Sequence, residues 1–231
     1  FLDKGSRVAT ADLAAAPAIG VFGEADRHRH FVVDLSDPVV AAKLVDQVVD
    51  EFGRLDVGVV AASWMGTSTT PGWNVPFEDQ DVALWPEVLS VGVTANFSLV
   101  RRARTALAAN GCGSVILISS LYGFCAPHPA MYVGTGVNNI AGYAASKGAL
   151  TQLARWLSTM MAPEVRVNAL SPGGIFRDQE PDFVRRYEER TPLGRMASED
   201  DLVGPVLFLA SDLSRYVTGH DLVVDGGYSV W

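Results

Sequence analysis

The chain has 231 residues, 48% hydrophobic and 19% charged, enough to bury one core, and single α/β domains commonly reach this length. A net charge of -8 and a pI near 4.9 present no basic face to a phosphate backbone, so a nucleic-acid binder is not expected. Cys112 and Cys125 form no zinc spacing and no run reaches the ~18 apolar residues of a membrane span, so a disulfide scaffold, a metal centre and a membrane protein are set aside and a reducing cytoplasm is expected.

Phe1-Leu2-Asp3-Lys4-Gly5 reads as the end of a helix with its glycine cap. Short runs rich in Val, Ile, Leu or Ala then alternate with longer amphipathic stretches. The runs are Arg7–Ala11, Phe31–Val33, Leu55–Ala61, Val115–Ile118, Val165–Leu170 and Leu222–Val224. Between them lie Val39–Phe52, a stretch from about Trp85 to Ala109, Gly142–Met161 and Glu199–Ala210. Strand and helix in alternation, with near-continuous apolar strands, predict a parallel sheet covered on both faces. Ser36-Asp37-Pro38 and Ser198-Glu199-Asp200-Asp201 supply helix starts. The basic runs Arg27-His28-Arg29-His30 and Arg101-Arg102-Arg104 read as solvated charge. The irregular parts, about Ser63–Asp81, Ser120–Ala141 and Ser171–Pro181, are long enough to be functional.

Polar and small residues collect where the apolar runs stop. Asp12, Asp34, Ala62-Ser63, Ser119-Ser120 and Pro172-Gly173-Gly174 each follow a predicted strand. In an open parallel sheet those are the carboxyl ends, outside which ligands bind. Tyr143-Ala144-Ala145-Ser146-Lys147 puts a phenol and an ammonium four residues apart, on one helix face. A free tyrosine titrates near ~10, too high for acid/base work at neutral pH, and an adjacent cation is expected to lower it. Ser120 can donate to the same substrate oxygen, as oxyanion-hole donors do. A surface pair without chemistry is the bland alternative.

From Phe1 to Trp231 the chain resembles the short-chain dehydrogenase/reductase family. The resemblance rests on Ile118-Ser119-Ser120, Tyr143 to Leu150, Val165-Arg166-Val167-Asn168, Ser171-Pro172-Gly173-Gly174, Pro192 to Met196, and Val217-Thr218-Gly219 through Val224-Asp225-Gly226-Gly227. It implies a single doubly wound, Rossmann-type, three-layer domain. It also implies an oxidoreductase that moves hydride between a nicotinamide cofactor and an alcohol or carbonyl carbon. Tyr143 would be the acid/base, Ser120 the carbonyl-polarising donor, and Lys147 the tyrosine's activator and a ribose ligand. Pro172, Gly173, Gly174 and Ile175 would line the nicotinamide, Asp34 and Leu35 the adenine, and the backbone at Ala61 and Ala62 its ribose. A carboxylate at Asp12 favours NAD(H) over NADP(H), because it accepts from the ribose 2′-hydroxyl and repels a 2′-phosphate; helix capping is its plainer role. Likeness also implies a homodimer or homotetramer with Gly142–Met161 at an interface.

Three departures from the family pattern stand out. The first strand and glycine-rich phosphate turn are missing from this chain, on the order of 25–30 residues, which predicts a sheet without one central strand. The family's Asn-Asn-Ala-Gly appears as Val60-Ala61-Ala62-Ser63. Its helix asparagine falls at Gly92, with Asn96 one turn on as a substitute. The 22 residues Leu121–Gly142 enlarge the connection before Tyr143. Tyr122, His128, Tyr132, Asn138 and Asn139 lie there, and the loop reads as a specificity element for a polar, sugar-like substrate. With the Gly-Tyr-Ser-Val-Trp ending, it resembles a branch met in sialic-acid-like sugar biosynthesis. The alternative reading is a catalytically impaired subunit or binding module.

Overall fold

A computed structural model of the chain describes residues 1–15, 26–67 and 69–231. Its strands are β1 (Val8–Asp12), β2 (His28–Val32), β3 (Val57–Val60), β4 (Gly113–Ile118), β5 (Val165–Pro172) and β6 (Asp221–Val224). The helices are α1 (Pro38–Phe52), α2 (Trp85–Leu89), α3 (Asn96–Ala108), α4 (Ala141–Met161), α5 (Pro181–Arg190) and α6 (Asp200–Ala210). All pairings are parallel, in two groups: β1 with β2, and β3-β4-β5-β6. Among the described residues, no strand pairs with the facing edges of β1 and β3, matching the interruption expected from sequence.

The period of two along the central strands explains the three layers. Val115 and Leu117 of β4 and Val165, Val167 and Ala169 of β5 face one side. They pack on Val45 of α1, Val100, Ala103 and Leu107 of α3, and Leu150, Ala154 and Leu157 of α4. Ile116 and Leu170 face the other side, against Leu209 and Val206 of α6. Strand β4 is therefore buried on both faces, as its apolar run required, and β5 nearly so: Arg166 is partly exposed, and the buried Asn168 donates to the Val217 carbonyl and accepts from His220 N. The helical stretch Val82–Ala108 has the length and apolarity of a membrane span, but it turns Val88, Ala95, Val100, Ala103 and Leu107 into the protein.

Local signals act where expected. Asp37 accepts from Val39 N at 2.7 Å and Val40 N at 3.4 Å, Pro38 fills the first turn, and Gly53 closes α1 in the left-handed region at φ 72°. The opening pentapeptide ends likewise at Gly5, φ 82°.

Two elements differ from the sequence reading. The Arg27–His30 run contributes most of β2, not a solvated surface run. His28 and His30 face Thr10 of β1, whose Oγ1 lies 2.8 Å from His28 Nε2 and 2.9 Å from His30 Nδ1, while Arg29 pairs with Glu51. A polar strand has no apolar run to announce it. Helix α5 lies in the stretch following Ser171–Pro181. Glu180 caps it through Phe183 N, and only Phe183 and Tyr187 are buried, one turn apart.

Candidate active site

Strand β4 delivers Ser119 and Ser120 to the carboxyl edge of the sheet, and α4 passes directly over them. Ser119 Oγ donates to the Lys147 carbonyl at 2.8 Å. Ser120, in extended backbone, caps the short turn Leu121–Gly123 by accepting from Tyr122 N at 3.2 Å. The turn sits so close to α4 that a Cβ on Gly123 would lie 2.7 Å from Ser119 Oγ and 2.9 Å from the Lys147 carbonyl oxygen. Glycine is required there by packing. The contact fixes α4 so that Tyr143 and Lys147, one turn apart, both face the strand end.

The Ser120 side chain lies near enough to the Tyr143 phenol to favour its ionised form. Lys147 Nζ donates to the Ile118 carbonyl at 3.0 Å and lies 5.5 Å from the centre of the Tyr143 ring. The structure thus brings together the three residues that the sequence singled out. Their electrostatics differ from expectation in one respect. Burial pushes the Tyr143 phenol above its ordinary value, with the neighbouring Ser120 side chain opposing it, whereas a lowered value was expected from the neighbouring ammonium. The ammonium is held over the ring by Ile118, and Lys147 itself is only 4% exposed. That burial brings its pKa down to about 8, weakening the charge meant to act on the phenol.

The cofactor candidates lie along the same carboxyl edge. Asp12 ends β1, exposed, and accepts from Ala14 N at 3.0 Å. Asp34 follows β2 and accepts from Ser36 N at 2.8 Å, which holds its carboxyl below the usual range; Leu35 beside it is half-buried. Ala61 and Ala62 leave β3, and the Ala62 carbonyl accepts from Asn96 Nδ2. Pro172 is buried, and Gly173, Gly174 and Ile175 are partly open. The donor set fits a nicotinamide dinucleotide: Lys147 commits one of its three donors to the Ile118 carbonyl, leaving N–H groups suited to a ribose diol, and Asp12 offers an exposed acceptor. The glycine pair has a further reason. A Cβ on Gly173 would lie 2.8 Å from the Tyr187 hydroxyl and one on Gly174 2.9 Å from Met196 Cε, while Gly174 N donates to the Tyr187 hydroxyl at 2.6 Å. Tyr187, which the sequence reading missed, supports the loop from behind.

The family model described as enoyl-(acyl carrier protein) reductase matches residues 1–229. A sorbose reductase of Schizosaccharomyces pombe is 34% identical over 79% of this chain and 68% of its own. The chain belongs to the short-chain dehydrogenase/reductase family. An NADP-dependent mannitol dehydrogenase of Alternaria alternata is 32% identical over 81% of this chain and 66% of its own. The crystal structure of a short-chain dehydrogenase from Leptospira borgpetersenii with bound NAD+ superposes with a TM-score of 0.86 at 30% identity, covering 99% of this chain and 85% of that one. The protein is accordingly an NAD(P)-dependent oxidoreductase of the dehydrogenase/reductase type, with a Rossmann-like fold.

Set against the short-chain dehydrogenase/reductase pattern, the departures acquire a geometry. Gly92 lies in a π-helical turn, Ser90–Ala95, between α2 and α3, a feature frequent at functional sites. A Cβ there would meet Ser146 Cβ at 3.3 Å, so the turn packs closely on α4. Asn96 is fully buried. Its Nδ2 donates to the Gly92 carbonyl at 2.8 Å and to Ala62 at 3.2 Å, which secures the turn to the end of β3, and its Oδ1 has no protein partner.

In the enlarged loop, the Tyr122 and Tyr132 hydroxyls hydrogen-bond each other, and Asn139 Nδ2 donates to Tyr132 at 3.5 Å. Burial and the neighbouring Tyr132 raise the Tyr122 phenol. His128 is exposed, on the segment before the turn Pro129–Met131. The structure thus gathers Tyr122 and Tyr132 into one polar group and leaves His128 apart.

Proposed function

We propose that the protein interconverts a secondary alcohol and a ketone on a polyol or sugar-like substrate, with NAD(H), using Ser120, Tyr143 and Lys147. The observation that carries this reading is the half-buried Tyr143 phenol, set beside the Ser120 side chain with Lys147 Nζ over its ring. The bound nicotinamide would supply the hydride in ketone reduction and accept it in alcohol oxidation. Asp12, Asp34, Leu35, Ala61, Ala62, Lys147 and Pro172 to Ile175 would hold that cofactor. Ser120 donates to the substrate oxygen and fixes it beside Tyr143. The phenol, kept protonated at neutral pH by burial, gives its proton to that oxygen as negative charge develops, and takes it back in the oxidative direction. Lys147 directs its uncommitted N–H groups toward a ribose diol and keeps positive potential near the phenol below its pKa of about 8.

Sorbose and mannitol in the names of two relatives support a polyhydroxylated substrate, and the linked hydroxyls of Tyr122 and Tyr132 suit one. The active form is read as a cytoplasmic homodimer or homotetramer, with Trp156 and Met160 exposed on α4 as interface residues. NADH consumption with sorbose tests the reaction, with NADPH in parallel. Turnover with NADH should exceed that with NADPH, and Asp12→Ala should narrow the ratio about tenfold by removing the charge that opposes a 2′-phosphate. An unchanged ratio would remove Asp12 from the cofactor site. Saturable NADH binding without turnover on ketoses or cyclic ketones would favour the binding module.

A further inference from the structure

Helix α4 starts without a local cap. Ile140 stands at its N-cap position and contributes no side-chain bond, although the first four N–H groups of a helix need partners from outside the helix. One of them is satisfied from the loop following β3: Ala141 N donates to Gln80 Oε1 at 3.0 Å. Gln80 Nε2 donates to the Asn139 carbonyl at 2.8 Å, so a single side-chain amide bridges the last loop residues and the first helical one. It also reaches the Val75 carbonyl at 3.4 Å.

The neighbouring Asn74 repeats the arrangement. Its Oδ1 accepts from Asn138 N at 2.8 Å, its Nδ2 donates to the Gly136 carbonyl at 3.2 Å, and its own carbonyl accepts from Asn138 Nδ2 at 3.2 Å. Two loops about sixty residues apart in sequence are therefore joined by five hydrogen bonds. Those made by Gln80 lie where the acid/base side chain begins. Tyr143 is in the first turn of α4, two residues after Ala141, and Asn139 carries the amide that reaches Tyr132.

We propose that Gln80 is a positioning residue for Tyr143. It caps α4 from the opposite loop and fixes Asn139, so that the Tyr143 phenol and the Tyr122–Tyr132 hydroxyl pair share one rigid frame. The proposal rests on the Tyr143 reaction set out above. Gln80 contacts only backbone, at the rim, and has no part in the chemistry itself. Its effect falls on the geometry of proton transfer, where a small misplacement is costly.

The test compares Gln80→Leu, which keeps the length and loses all three bonds, with Gln80→Glu, which keeps the acceptor for Ala141 N, gives up the donor to the Asn139 and Val75 carbonyls, and places a carboxylate at the positive end of the helix. Gln80→Leu should lower kcat about ten- to hundredfold with the NADH dissociation constant unchanged, and should raise amide exchange at residues 139–145 selectively. Gln80→Glu should recover part of the lost kcat through the cap on Ala141 N. Unchanged exchange at 139–145 would overturn the proposal. So would an unchanged kcat, since the amide would then be a loop fastening only; recovery in Gln80→Glu assigns the effect to the cap on Ala141 N, and its absence to the bond with the Asn139 carbonyl. A parent protein without turnover would sink the assigned reaction instead, and the exchange measurement would still show whether Gln80 holds the first turn.

Discussion

Tyr143→Phe should lower kcat by about 10²- to 10⁴-fold, the range of a lost general acid/base, while folding and NADH binding stay close to the parent. The substitution removes one oxygen and keeps the ring under Lys147 Nζ. Ser120 loses the phenol and still accepts from Tyr122 N, so the strand end keeps its turn. The raised pKa of Tyr143 sets the direction of the pH dependence. A phenol held above its ordinary value by burial is protonated at neutral pH and ready to donate, so ketone reduction should proceed there. Alcohol oxidation needs the phenolate, and its rate in the parent should climb with pH beyond 8. Initial rates in both directions, from NADH absorbance between pH 6 and 10, read the two behaviours together. Turnover surviving intact in Tyr143→Phe would end the mechanism. If the parent binds NADH but turns nothing over, the impaired-subunit reading gains, and Gly92 in its π-helical turn becomes the first place to look.

The sequence was readable wherever one residue had one job. Val115 to Leu117 are buried by both faces, so each had to be apolar, and Val165, Val167, Ala169 and Leu170 are buried likewise, so the strands declared themselves. Tyr143 and Lys147 needed only helical spacing. Legibility failed where a residue's partner lies far along the chain. His28 and His30 are strand residues because Thr10 stands opposite them, and no local pattern contains Thr10. Gln80 caps a helix that begins 61 residues later, and a glutamine in a loop rich in Gly, Pro and Asp carries no mark of it. The lowered pKa expected for Tyr143 failed for a related reason. Spacing gives the distance between two groups but not their burial, and here burial acts against both charges. Helix α5 had a local signal, Pro181 after Glu180 with Phe183 and Tyr187 one turn apart, but it follows an irregular stretch and has a mostly charged surface.

Lys147→Met should cost turnover about a hundredfold or more and weaken NADH binding, yet leave the protein at least as stable as the parent at pH 7. Folding brings the ammonium from a free value of 10.5 down to about 8 by burial. Between those two pH values the unfolded chain holds a proton that the folded one has released, so the parent's stability should rise as pH increases from about 8 to 10.5. The full gain is about 3 kcal/mol at most. Below pH 8 the folded state carries the ammonium, bonded to the Ile118 carbonyl, and no such gain exists. Methionine fills similar volume with nothing to desolvate, so the variant should show no such slope. Tyr143 opposes the trend above pH 10, because its raised pKa lets the unfolded state ionise first. That contribution is common to both proteins and cancels in their difference. Urea unfolding at pH 7, 8, 9 and 10 gives the comparison, and equal slopes would show that Lys147 is not the group titrating. Lower activity joined to equal or higher stability at neutral pH has a plain physical meaning. A lysine only 4% exposed works against the fold, and under the proposed function its charge serves the phenol beneath it and a ribose diol.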